Sequence, residues 1–213
     1  MIVERLFWED SYLTECEAKV THLEENKVRL DKTVFYAFSG GQISDTGTIN
    51  GINVISARII DNYDIEYELE EKPNFQVQDI VKVEIDWDKR YELMKLHTAQ
   101  HIAANFFENR TNVRETLGGN IRKGKATLTY PVDEPITEIL KELETKVNEF
   151  INQDHKVECW LDKDNSNRRN WKCAEFECGC GGTHVKSLKE IGKIKLKRRN
   201  GGKGKEEIEV TLA

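Results

Sequence analysis

The chain has 213 residues, of which 38% are hydrophobic and 33% charged, with 14 glycines and 3 prolines. That balance excludes disordered, collagenous and membrane-spanning chains, because no window approaches the roughly 18 uncharged apolar residues of a spanning helix. The net charge of −6 argues against indiscriminate nucleic-acid binding, and the odd, clustered set of five cysteines argues for metal ligation or reduced thiols over a secreted disulfide framework. An acidic N-terminus (Glu4, Glu9, Asp10) does not read as a signal peptide. These features fit a cytoplasmic enzyme or binding protein.

The first ninety residues read as strands. Ile2 to Trp8, Tyr12 to Val20, Thr33 to Phe38, Val54 to Ile60, Asp64 to Leu69 and Ile80 to Asp86 are short, rich in Val, Ile, Tyr and Phe, and often alternate. Gly40-Gly41 and Asn50-Gly51 punctuate them as turns, the second a tight-hairpin dipeptide. A small β-barrel or sandwich over residues 1–88 is the expectation. Tyr91 to Phe107 then carries Leu93, Leu96, Ala99, Ala103 and Phe106-Phe107 at helical spacing. Asp133 before Pro135 opens a second helix whose stripe runs Ile136, Ile139, Leu140, Leu143, Val147, Phe150 and Ile151. Strands are expected at Lys125 to Tyr130, Lys156 to Leu161, Ile191 to Lys197 and Glu206 to Leu212. Residues 89–213 thus form a second unit of helices with a mostly antiparallel sheet, and the fold class is α+β.

Charge is unevenly spread. Asp61 to Asp88 holds ten acids against two bases and would repel phosphate, whereas Lys186 to Lys205 holds nine bases and one acid. Lys195, Lys197, Arg198, Arg199 and Lys203 are therefore candidate phosphate contacts, with a solvated basic hairpin as the plainer reading.

His97 and His101 stand four apart on the first helix, so both imidazoles leave one face about a turn apart. Cys180-Gly181-Gly182-Thr183-His184 supplies a thiolate and an imidazole around two glycines. Together His97, His101, Cys180 and His184 suit one Zn²⁺ per chain. A rival site is a local knuckle of Cys173, Cys178, Cys180 and His184, which leaves the helical pair unexplained. Cys16 and Cys159 read as small core residues, and the four tryptophans as core or interface aromatics.

Asp86-Trp87-Asp88-Lys89-Arg90, His97-Thr98-Ala99-Gln100-His101 and Cys180-Gly181-Gly182-Thr183-His184-Val185 closely resemble the alanyl-tRNA editing proteins and the editing domain of alanyl-tRNA synthetase. Phe35 to Gly47 resembles the glycine-rich motif of that family, with Ser39 in place of its first glycine and Ile43 in place of its proline. The resemblance implies an N-terminal β-barrel domain (1–88) and a zinc-dependent editing domain (89–213). It implies hydrolysis in trans of Ser-tRNA(Ala), with Gly-tRNA(Ala) a second candidate substrate. The absence of a spanning apolar window makes no membrane partner the expectation, and no obligatory protein partner is evident in the sequence. The chain is too short for an aminoacylation domain as well.

By the same resemblance the loop carrying Gly40, Gly41, Gln42 and Asp45 approaches the editing pocket. Gln42 is then expected to close over polar groups of the substrate and to act with His97 and His101 in catalysis, while Thr116 stands near where the family places a threonine on the serine hydroxyl. Four protein ligands are the pattern of structural zinc, and catalytic zinc usually keeps a position open; the sequence leaves that tension standing. Two other readings stay open: a non-catalytic tRNA-binding module with structural zinc, and a zinc hydrolase of a small ester or amide.

Overall fold

The structure, a computed structural model, describes residues 2–165 and 167–213. The chain enters as a two-residue strand, β1 (Glu4–Arg5), followed by one helical turn, α1 (Leu6–Glu9). Continuous strand from Ile2 to Trp8 was expected. The helical turn replaces it because Phe7 drops into the core, its ring edge-on to Tyr36 at 5.4 Å, while the Trp8 indole N–H donates to Gly181 O at 2.8 Å.

Next come β2 (Glu15–Glu24), β3 (Lys27–Leu30), β4 (Lys32–Thr33, parallel to β1), β5 (Gly47–Ile49), β6 (Ile52–Ile59), β7 (Ile65–Leu69) and β8 (Ile80–Ile85). Six of them close into an antiparallel barrel in the order β2-β3-β7-β6-β5-β8. The alternation in β8 sends Val81, Val83 and Ile85 inward, where they meet Val20, Leu30, Ile49 and Leu69. Asn50 and Gly51, both at positive φ (51° and 81°), make the turn between β5 and β6. The stretch after Thr33 is not a strand, although Val34, Phe35, Tyr36 and Ala37 are buried. Side chains take up its backbone groups instead: Tyr36 N–H donates to Asp45, Phe35 N–H to Thr33, and Val34 C=O accepts from Arg90.

Beyond the barrel, α2 (Trp87–Thr111) is a turn longer at each end than its apolar stripe, because Asp86 caps Lys89 N–H and Asn112 closes the other end in the left-handed conformation. The remaining elements are β9 (Gly118–Arg122), β10 (Lys125–Tyr130), α3 (Thr137–Asn152), β11 (Val157–Leu161), β12 (Arg169–Cys173), β13 (Phe176–Gly179), β14 (Ile194–Asn200) and β15 (Glu206–Leu212). Asp133 does not cap α3: the helix starts at Thr137, with Ile136 at its cap position and no side-chain bond there. Two antiparallel sheets, ordered β14-β15-β10-β9 and β11-β12-β13, flank the helices. Leu93, Leu96 and Ile102 of α2 share one core with Leu140 and Val147 of α3 and with Trp171 and Ile208 of the sheets. The molecule is α+β, with barrel first, as the sequence indicates. Among the described residues no helix is long and apolar enough to cross a membrane.

The two halves are stitched by backbone. Ile43 N–H donates to Ile121 O at 3.0 Å and Ile121 N–H donates to Gly41 O at 2.9 Å, so the glycine-rich loop adds itself to the free edge of β9.

Candidate metal centre and its cleft

The middle of α2 holds His97 and His101 one turn apart, and the segment leaving β13 brings Cys180 and His184 against them. The four ligand atoms lie within 4.8 Å of one another, a cluster that could hold a metal ion. Cys180 Sγ is 3.5 Å from His97 Nε2 and 3.2 Å from His184 Nε2. Glycine at 182 is what permits the approach, since a Cβ there would stand 2.2 Å from His97 Cε1.

Partners behind the rings set which nitrogen faces the cluster. Gln42 Oε1 accepts Thr183 N–H at 3.1 Å, which fixes the orientation of the amide, and the same oxygen lies 2.8 Å from His97 Nδ1. That nitrogen therefore carries the proton, and Nε2 offers its lone pair. Thr98 does the same for His184: its hydroxyl donates to Met94 O and so accepts from Nδ1 at 3.1 Å. Cys178 Sγ sits 3.2 Å from His101 Nδ1. Burial pushes His97 and His184 well below the ordinary imidazole value and His101 down to about 4, so all three rings are neutral at pH 7. Burial pushes the Cys180 thiol up to about 12; a cation in the cluster would reverse that effect.

His97, His101 and Cys180 form one wall of a cleft of about 290 Å³, also lined by Ser39, Gly40, Gln100, Thr116 and Leu128. Gly40 and Thr116 thus share a cleft with His97, His101 and Cys180. Gly41, at φ 84°, is packed so tightly on β9 that a Cβ would lie 2.1 Å from Gly119 O. Gln42 was expected to face the substrate. Instead it is fully buried, its Nε2 donating to Thr183 Oγ1 at 2.9 Å and its oxygen engaged as above, so its amide is turned to the ligand and away from the cleft. Asp45 likewise lies behind the loop, in a buried ion pair with Arg90, which also donates to Ser11 O and Val34 O.

None of the five candidate phosphate contacts lines the cleft; they lie on β14 and the turn after it. Arg198 sets its fork on Glu206, and Arg199 sets its own on Glu209, which Lys125 also reaches. Two of the five candidate phosphate contacts are therefore already held by carboxylates, whereas Lys195, Lys197 and Lys203 have no carboxylate partner among the described residues. Cys173 is buried in the core and is not in the cluster, and the rival knuckle is not assembled.

Sequence reasoning missed the roles of Thr98 and Thr183, and it placed Cys178 only in the rival knuckle, not beside His101. Thr98 and Thr183 lie inside the two ligand motifs, next to His97 and His184, and their position between ligands is the signal that could have found them.

Residues 9–89 match the family of class II (A) tRNA synthetases, and residues 172–208 match the second additional domain of threonyl and alanyl tRNA synthetases. The chain is 35% identical to the alanyl-tRNA editing protein AlaX-M of Pyrococcus horikoshii, over 99% of this chain and 98% of that one. It is 33% identical to AlaX-M of Saccharolobus solfataricus, over 99% of each. Against the alanine–tRNA ligase of Methanococcus maripaludis it is 33% identical over 91% of its own length but 24% of the ligase. With such identity across nearly the whole of both chains, and with the metal cluster lying in the segments that carry the motifs, the chain belongs to the family of alanyl-tRNA editing proteins of the AlaX-M type.

Proposed function

We propose that the protein deacylates mischarged tRNA(Ala) in trans, hydrolysing the ester of Ser-tRNA(Ala), with Gly-tRNA(Ala) a second substrate, around one Zn²⁺ per chain. The observation that carries this reading is the convergence of His97, His101, Cys180 and His184, three of which (His97, His101 and Cys180) line a cleft bounded by the glycine-rich loop. Relatives named for alanyl-tRNA editing support a mischarged tRNA(Ala) as the substrate of that cleft. On this reading residues 1–88 are the barrel domain and 89–213 the editing domain.

The donor set fits zinc. Three neutral imidazoles and one thiolate are ligands it favours, and a tetrahedron with Zn–N of about 2.0–2.1 Å and Zn–S of about 2.3 Å has N···S edges of about 3.5 Å, close to the 3.5 and 3.2 Å found here. When bound, the ion supplies a more acidic water and polarises an ester carbonyl. The rest falls to the chain. Gln42 and Thr98 hold two ligand rings in the tautomer that presents Nε2. The exposed Thr116 offers a hydroxyl in the same cleft as His101, and a hydrogen bond to the hydroxyl of serine would favour seryl over alanyl esters more than size alone can. Gly40 keeps the rim of the loop free of side chain.

Incubation with Ser-tRNA(Ala), Ala-tRNA(Ala) and a generic ester, with and without chelator, tests the reading. Loss of the seryl ester alone, abolished by chelator and restored by Zn²⁺, is expected. Binding of tRNA without hydrolysis would make the protein a module with structural zinc. Turnover of the generic ester alone would make it a small-molecule hydrolase.

A further inference from the structure

Within the motif His97-Thr98-Ala99-Gln100-His101, Gln100 is the polar residue that neither belongs to the metal cluster nor bonds a member of it. It is 5% exposed and lines the metal cleft.

The amide of Gln100 is held from one side. Its Nε2 donates to Thr127 O on β10 at 2.7 Å and to Asn120 O on β9 at 3.4 Å. Because both neighbours are carbonyl oxygens, only the nitrogen can face them. Gly119 leaves room for this arrangement, since a Cβ there would stand 3.1 Å from Gln100 Nε2 and 3.0 Å from Thr127 O. The amide oxygen is thereby turned away from these two strands, and it has no partner among the described residues. Nor is it sealed in the core. The buried side-chain atoms without a partner among those residues are Arg29 Nε, Arg169 Nε and Trp171 Nε1. Gln100 Oε1 therefore keeps a surface, and the surface that Gln100 lines is the metal cleft.

A fixed acceptor with no donor opposite it is suited to a donor on the ligand, and leaving it unmet under a bound substrate is costly. Among the described residues no Asp or Glu lines this cleft. An amide oxygen meets an N–H there without adding a carboxylate that would compete for a metal ion. An aminoacyl ester carries such a donor at a set place: its α-amino nitrogen is two bonds from the carbonyl carbon that must lie at the cluster. Seryl and glycyl esters share that group, whereas the serine hydroxyl is one bond further away and is met by Thr116 in the proposed function.

We propose that Gln100 Oε1 accepts a hydrogen bond from the α-amino group of the bound ester, which makes the cleft selective for esters with a free amino group. The ester rests on the proposed function; the direction of the acceptor rests on Thr127 and Asn120. The amine donates whether neutral or protonated, so the contact forms in either state.

The test is calorimetric binding of two non-hydrolysable probes to the Zn²⁺-loaded full chain. One is 3′-amino-3′-deoxyadenosine acylated at its amine with serine; the other carries 3-hydroxypropanoic acid instead, which keeps the hydroxyl and lacks the α-amino group. The seryl probe should bind at least about tenfold more tightly. Gln100→Met, similar in length and without the acceptor, should abolish that preference, whereas Thr116→Ala should weaken both probes and keep it. Gln100→Glu retains an acceptor and should preserve or widen the preference, and it carries the test if Gln100→Met does not fold. A seryl probe that does not bind, equal binding of both probes by the unmodified protein, a preference that survives in Gln100→Met, or one lost in Gln100→Glu overturns the proposal. A preference that follows Gln100 in a protein that deacylates no tRNA would strike the proposed function and leave this contact standing. Deacylation of Ser-tRNA(Ala) with no preference between the probes would strike the contact alone.

Discussion

The side-chain oxygen of Gln42 lies 2.8 Å from Nδ1 of His97, across a sequence separation of 55 residues and from one half of the molecule to the other. A residue of the barrel half thereby sets the tautomer of a candidate ligand on α2. Outer partners of this kind tune metal affinity by about 10–100-fold. Gln42→Ala should therefore weaken metal binding by that order in a competition titration against a chromogenic chelator. Gln42→Glu, which keeps the acceptor and loses the donation to Thr183, should fall between. An unchanged affinity in Gln42→Ala would show that His97 is held by its packing alone.

Asp45 and Arg90 carry the neighbouring stitch. Both side chains are fully buried, and removing one partner of such a pair leaves an uncompensated charge, costing about 3–5 kcal/mol. Asp45→Ala should lower stability by that amount in denaturant unfolding, and adding Arg90→Met should recover much of it. A double variant as unstable as the single would mean that the loss comes from the loop geometry Asp45 imposes through Tyr36 N–H, not from the stranded guanidinium.

The His/Cys cluster was legible because each pair sits four residues apart in a local motif, and the barrel because its strands alternate. The roles of Gln42 and Asp45 were not, since proximity to a site does not reveal the direction a side chain takes. Gln42 bonds Thr183 across 141 residues, a pairing no local pattern encodes. The strands β12 and β13 escaped notice because Arg169, Asn170 and Lys172 break any apolar alternation, although Arg169, Trp171 and Cys173 point inward. Counting bases along the tract of Lys186 to Lys205 overlooked the acids eight and ten residues on, which the antiparallel register of β14 and β15 folds back against them.

Burial of the three imidazoles links stability to pH. His101 titrates at about 4 in the folded chain against an ordinary 6.5, with His97 and His184 shifted the same way. The unfolded chain then binds more protons as pH falls, so stability is full above about 6.5 and declines toward 4. Chelator-treated protein should show a melting temperature that is flat above neutrality and falls through this window. His101→Ala should flatten the fall, and Zn²⁺ should lift the curve most at high pH, where it does not compete with protons. A melting temperature independent of pH from 7 down to about 4 would mean that the rings are solvated in the metal-free protein.

The hairpin of β14 and β15 separates two kinds of basic residue that composition treats as one. Glu206 and Glu209 are 4% and 5% exposed, so Arg198 and Arg199 compensate buried acids, whereas Lys195, Lys197 and Lys203 are exposed. Replacing Arg199 with Ala should therefore lower the melting temperature, because it strips Glu209 of a partner that helps hold its carboxyl at about 2. Replacing the three lysines together with Glu should leave the melting temperature nearly unchanged. If the hairpin carries tRNA, the triple variant should also bind it more weakly, with the slope of log affinity against log salt reduced by about 0.7–0.9 for each phosphate no longer neutralised. Arginine variants would confuse the two effects, since their weaker binding could follow from a loosened hairpin; the lysines do not. A triple variant whose tRNA affinity and salt slope match those of the unmodified protein would assign the basic face to stabilising β15.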